Sequence, residues 1–174
     1  MKTYLLKTDR LGVRQWQESD FNDFHEVMSN ELTHIHTGED AWSEEQTKGM
    51  IRWNIENTDM DSGYFNLPLV LLGADRVIGR VGLNPYLEEE RIPEIEWTIN
   101  PQYWNNGYAS EIAKEMLRFA FGKGGFEEVI GIVKQSNVGS VRVLEKIGAR
   151  FESKKVFRGE EWDFYSMKNR WEEL

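Results

Sequence analysis

The 174-residue chain contains no cysteine, which excludes disulfide bridges, thiolate metal sites and a covalent cysteine nucleophile. Histidine is scarce, and the spacing of His25, His34 and His36 matches no metal-ligand pattern. Asp59 and Asp61 begin something like a calcium loop but lack its later ligands, so no metal is expected. Nowhere do 18 apolar residues run together, and the apolar stretch near Met1 is too short for a signal peptide. A soluble, cytoplasmic protein is therefore expected. Positive charge is also in deficit, with 21 Lys and Arg against 30 Asp and Glu and a formal net charge of −9. That balance disfavours general affinity for nucleic acid or anionic membrane and favours cationic partners. The acidic residues cluster at Glu39-Asp40, Glu44-Glu45, Glu88-Glu89-Glu90 and Glu94/Glu96.

What is present is the mix of a globular protein: 40% hydrophobic, 13% aromatic and 29% charged. No repeat, linker or low-complexity tract divides the chain, so residues 1–174 read as one mixed α/β domain. Leu11 to Trp16 reads as a first strand, after which Ser19 or Asp20 can cap a helix carrying Phe21, Phe24, Val27 and Met28 on one face. Asn30 to Ala41 is polar and irregular. Ser43 with Gln46 fits a capping box opening a second helix. Phe65 to Leu72 and Val77 to Leu83 form a hairpin that Pro85 ends, or confines to a sheet edge at its tip. In Glu94 to Ile99, alternation puts Ile95, Trp97 and Ile99 on one face and Glu94, Glu96 and Thr98 on the other. The segment from Ile112 to Ala120 is a strongly periodic helix ended at Gly122. Val129 to Val133 reads as a buried strand and Asn137 to Ile147 as a helix. Phe151 to Phe157 and Trp162 to Met167 make a closing hairpin through Arg158-Gly159-Glu160.

The stretch Trp104-Asn105-Asn106-Gly107-Tyr108-Ala109-Ser110-Glu111 joins the acidic strand to the periodic helix. Unpaired N–H groups and the aligned peptide dipoles make such a helix start a natural place for phosphate. Gly107 permits close approach, and Ala109 and Ser110 add little bulk. An ordinary strand-to-helix loop is the alternative.

This order of elements, with Thr8-Asp9-Arg10-Leu11-Gly12-Val13-Arg14, Glu94-Ile95, the Trp104 to Glu111 turn and Asn137 to Gly148, resembles the GNAT acetyltransferase superfamily. Within it, the chain is similar to the branch that includes ribosomal-protein N-terminal acetyltransferases. The resemblance spans Thr8 to Lys168. It implies an α/β (α+β) domain with a central mixed, mostly antiparallel sheet of about seven strands flanked by about four helices, and a homodimer. Two departures stand out: Asn105 replaces a usual glycine, and asparagine tolerates a left-handed backbone; Glu96 replaces another glycine and adds a carboxylate beside the expected catalytic region.

The resemblance implies acetyl-CoA as co-substrate and no metal. Its pantetheine would lie along Trp97, Thr98 and Ile99 through backbone contacts, and its pyrophosphate on the N–H groups of Asn105, Asn106, Gly107, Tyr108, Ala109 and Ser110. Asn137 would reach the pantetheine arm, and Arg142 or Lys146 the 3′-phosphate. Glu94 and Glu96 are candidate bases acting through water, and Ser140 is the hydroxyl left to assist the departing thiolate where relatives place a tyrosine. Trp42 and Trp53 are candidates to line the acceptor cleft. The expected reaction is direct acetyl transfer to a cationic primary amine, without an acyl-enzyme. A protein or peptide amino terminus is preferred over an aminoglycoside, polyamine or amino acid, and a non-catalytic acyl-CoA-binding module is the alternative from another class.

Overall fold

A computed structural model describes residues 3–59, 61–87, 90–157 and 159–169. Glu88 and Glu89 of the acidic run and Arg158 of the closing turn lie outside the described residues. The strands are β1 (Leu6–Lys7), β2 (Leu11–Val13), β3 (Phe65–Leu71), β4 (Arg76–Leu87), β5 (Ile92–Ile99), β6 (Glu128–Val133), β7 (Arg150–Phe157) and β8 (Glu160–Lys168). The α-helices among the described residues are α1 (Phe21–Met28), α2 (Glu31–His34), α3 (Glu44–Asn57), α4 (Tyr108–Phe121) and α5 (Val138–Lys146). All eight strands join one sheet in the order β1-β2-β3-β4-β5-β6-β8-β7. Every pairing is antiparallel except β5 with β6.

Local chemistry accounts for most of these boundaries. Ser43 and Gln46 cap α3 reciprocally: the Gln46 N–H donates to Ser43 Oγ (3.3 Å) and the Ser43 N–H to Gln46 Oε1 (2.8 Å). The strand expected first is the second, preceded by β1, and it stops at Val13, short of Trp16, because Arg14 turns inward to grip both oxygens of Asp20 (2.8 and 2.7 Å), each residue only 5% exposed. Asp20 also accepts from the Gln17 N–H (2.9 Å) and makes no capping bond to α1, contrary to its expected role. The segment expected to be irregular contains α2, because Asn30 Oδ1 accepts from the Leu32 N–H (3.0 Å) and buried His34 is tied to the Met28 carbonyl (2.8 Å). β4 runs on past Pro85 to Leu87; β3 pairs with it only as far as Leu83, so the proline sits where β4 has lost its β3 neighbour.

Breaking a buried ion pair from one side leaves an uncompensated charge and costs about 3–5 kcal/mol. Asp20→Ala is therefore expected to destabilise the fold by about 3 kcal/mol or more, measured by urea unfolding; a change below about 1 kcal/mol would show that the pair holds nothing together.

The register sorts the centre of the sheet into two faces. Phe65, Leu83 and Ile95 form one row, and Leu67, Val81 and Trp97 the next. This apolar face lies against α4, whose Phe119 ring is 5.6 Å from that of Phe65. The same strands carry Asn66, Gly82 and Glu96, then Pro68, Arg80 and Thr98, on the opposite face. The polar face is where the site forms.

Candidate active site

The single parallel pairing creates the opening. Glu94 is in register with Ile130, the one registered pair between β5 and β6. The Asn100 N–H donates to the Ile78 carbonyl (2.8 Å). By the alternation of an antiparallel ladder, even-numbered β5 residues bond to β4, and Ile95, Trp97 and Ile99 turn their backbone groups toward the β6 side. The Ile99 carbonyl is taken by the Trp104 indole N–H (2.7 Å). Thr98 turns its carbonyl toward β4, where it crowds Gly79, and lines the cavity beyond.

That cavity has a volume of about 640 Å³ and gathers Glu94, Glu96, Trp97, Thr98, Asn137 and Ser140 from elements distant in sequence. Burial, with a smaller push from the neighbouring Glu96 charge, raises the Glu94 carboxyl to about 8. Neither glutamate has a hydrogen-bond or ion-pair partner among the described residues. Two carboxyl groups thus share one strand face in the cavity, and Glu94 holds its proton near neutral pH and ionises only as the pH approaches about 8.

The turn before α4 has the backbone that anion binding requires. Asn105 (φ 61°) and Gly107 (φ 79°) are both left-handed, and no side chain caps the helix. The first N–H groups of α4, before the Glu111 N–H that donates to the Gly107 carbonyl, thus lack intrahelical partners. Asn105, Asn106 and Gly107 are exposed, Tyr108 and Ala109 half-buried, and Ser110 buried. A second cavity, about 510 Å³, opens here, bordered by Gly107, Ser110, Arg10, Lys114 and Lys146. Arg10 bonds Glu111 (2.6 Å) and lies 4.5 Å from the Tyr108 ring. Burial alone would raise the Glu111 carboxyl, but the hydrogen bonds from Thr8 and Arg10 outweigh it and hold it below the ordinary value.

At the start of α5, Asn137 Oδ1 accepts from the Ser140 N–H (3.2 Å), which leaves the Asn137 amide as a donor. Lys146 borders the cavity at Gly107, whereas Arg142 is exposed on the same helix and lines neither cavity. Trp42 stands beside the larger cavity, 5.9 Å from Arg80; Trp53 is 62% exposed on α3 and does not reach it. His25 meets Thr47 (3.1 Å), and His36 lines the cavity. No group of three metal-ligating side chains occurs among the described residues, and no described helix is long and apolar enough to cross a membrane.

Sequence reasoning missed Arg80, Tyr86, Lys155 and Trp162, which complete the cavity wall. Lys155 lies 4.3 Å from the Phe164 ring and 3.4 Å from the Tyr86 hydroxyl. Arg80 interrupts an apolar run in β4, which was a local signal. The others join only through strand pairing at long sequence separation.

The fold and sequence are shared with known proteins. The acetyltransferase (GNAT) domain family matches residues 10–150. The chain is 30% identical over 160 residues to a Bacillus subtilis protein called the uncharacterized N-acetyltransferase YnaD, covering 90% of this chain and 91% of that one. An acetyltransferase (GNAT family) structure from Bacillus anthracis superposes with a TM-score of 0.83 at 29% identity, covering 94% of this chain and 97% of the other. RimL, a ribosomal L7/L12 alpha-N-protein acetyltransferase in complex with coenzyme A, shares the fold at 15% identity, with a TM-score of 0.78 and coverage of 95% and 98%.

Proposed function

This chain belongs to the GNAT acetyltransferase family and is an acetyl-CoA-dependent N-acetyltransferase, and from that premise we propose that it acetylates a primary α-amine by direct attack, with Glu94 as the base. The observation that carries the reading is the Glu94 carboxyl, raised to about 8 in a cavity it shares with Glu96. An α-ammonium titrates at about 7.7–8.0, so passing its proton to the ionised form of Glu94 is nearly free of cost. An ordinary carboxylate near 4.3 would make the same transfer uphill by about 5 kcal/mol. A lysine-type ammonium near 10.4 would still face about 3 kcal/mol against Glu94.

The residues present fit acetyl-CoA. The uncapped N–H groups of α4 and the left-handed Asn105 and Gly107 suit a diphosphate. Trp97 and Ile99 offer backbone groups along the gap, and Asn137 offers its amide. When bound, acetyl-CoA supplies an acetyl group activated as a thioester. Glu96 and the ionised form of Glu94 attract the ammonium, and ionised Glu94 takes its proton. One N–C bond would form as one C–S bond breaks; the proton that the acylated nitrogen sheds would pass to the departing thiolate, with the Ser140 hydroxyl in the same cavity to donate a hydrogen bond to the sulfur.

Thiol release measured with α-amines and lysine-type amines tests the reading. Faster turnover of α-amines at pH 7 is expected, and acetyl-CoA binding without turnover of any amine would end it. Gly107→Val tests the phosphate turn: a β-branched residue at φ 79° is strained by about 1–3 kcal/mol, so the acetyl-CoA Kd should rise about 10-fold or more. Unchanged affinity would remove the turn from the site.

A further inference from the structure

Arg80 is a cation that acetyl transfer to a simple amine leaves without work. Among the described arginines withdrawn from solvent, Arg14 is paired with Asp20, and Arg76 with Asp23 and Glu26. Arg80, also half-buried, makes no hydrogen bond or ion pair among the described residues and has only the Trp42 ring, 5.9 Å away. It lines the same cavity as Glu94 and Glu96, which are equally unpaired. In a chain with nine more acidic than basic residues, a half-buried guanidinium without a carboxylate is a group awaiting one.

Position narrows the ligand. Arg80 is in register with Thr98, two residues along β5 from Glu96 and four from Glu94. At about 3.4 Å per residue these rungs lie ~7 and ~13 Å away. Arg80 and the two glutamates thus stand on one face of the sheet and line one cavity, with opposite charges separated along it. The guanidinium is not needed for the phosphates of coenzyme A, because the cavity at Gly107 shares no lining residue with this one.

We propose that Arg80 is the carboxylate-binding residue of the acceptor subsite and that the acceptor is a free α-amino acid, its ammonium facing Glu94 and Glu96 and its carboxylate paired with the guanidinium. The proposal rests on the acetyl-transfer reading above. Pairing also assists the chemistry: an unneutralised carboxylate beside the amine favours its charged form, and Arg80 cancels that field. The amine then gives up its proton more readily.

The test is thiol release with pools of L-amino acids, the corresponding L-amino-acid amides, and dipeptides. The native enzyme should favour free acids over amides by about 10–100-fold in kcat/KM. Arg80→Gln should bring that ratio to about one, and Arg80→Lys should keep it above one. Because each ratio is taken within one protein, a reduced folded fraction cancels. Native turnover of amides, dipeptides or carboxylate-free amines equal to or above that of the acids would overturn the proposal while leaving acetyl transfer standing, and so would a ratio that survives Arg80→Gln. Failure of every amine would instead strike the acetyl-transfer reading.

Discussion

Glu94→Gln is expected to lower kcat by ~10²–10⁴-fold while leaving acetyl-CoA affinity near that of the native protein. Glutamine keeps the shape of the side chain but cannot accept the ammonium proton. In the native enzyme only the ionised form of Glu94 acts as base, so kcat/KM should rise with pH up to about 8, where this carboxyl titrates. An acceptor amine of pKa well below 7 arrives neutral and has no ammonium proton to give, so with it the Glu94→Gln deficit should largely disappear. A deficit of equal size with that acceptor would separate Glu94 from the proton transfer.

The same substitution has a stability signature of opposite sense. Below the ordinary carboxylate value of 4.5 the Glu94 carboxyl is protonated in both folded and unfolded chains. Between 4.5 and about 8 the unfolded chain ionises while the folded one keeps its proton, so native stability falls with rising pH across that window. Glu94→Gln removes this loss. Its Tm should match the native Tm at pH 4 and exceed it by ~3 °C or more at pH 9. Equal Tm values at both would show that Glu94 is not held in a desolvated site.

Gly79→Ala should be the most damaging single-methyl change in the sheet. A Cβ at Gly79 would stand 2.0 Å from the Thr98 carbonyl oxygen and 3.0 Å from the Ile99 Cα. Both are backbone atoms, so no side-chain rotation relieves the contact and β4 and β5 must separate. Overpacking of this kind costs about 3 kcal/mol or more, equivalent to a Tm loss of ~6–12 °C. The displaced segment is the part of β5 that carries Trp97 to Ile99 past the cavity. Acetyl-CoA affinity should therefore fall along with stability, read by calorimetry on the fraction that remains folded. A native-like Tm together with native affinity would mean that the close approach of the two strands is not required.

Much of the site was legible locally. A strand repeats every two residues, so Glu94, Glu96 and Thr98 could be set on one face from six letters. Gly107 and Asn105 announced a left-handed turn because few other residues adopt it without strain, and both do adopt it. The capping pair Ser43 and Gln46 was readable for the same reason: the partners are three residues apart. Of Ser19 and Asp20, Asp20 stands at the N-cap position of α1, but its carboxylate goes to Arg14 and the Gln17 N–H and not to the helix, because Arg14 lies across a turn and competes for the same oxygens more strongly. That Lys146 and not Arg142 borders the cavity at Gly107 depends on how α5 rests beside α4, which no spacing within α5 records.

By itself, then, the sequence determined those features whose energetics are settled within a turn of helix or a pair of strand residues: the acidic face of β5, the left-handed turn before α4, the Ser43–Gln46 cap and the fold family they spell out. Only the tertiary structure decided that β5 and β6 part company after Glu94, that Arg80 comes to lie on the wall beside two glutamates, and that Glu94 is buried deeply enough to keep its proton. Those outcomes depend on the dielectric and the neighbours supplied by segments more than 30 residues away, as with Ile130 opposite Glu94 and Trp42 beside Arg80. Charge and burial are properties of the assembled cavity, and chain order does not contain them until the strands have paired.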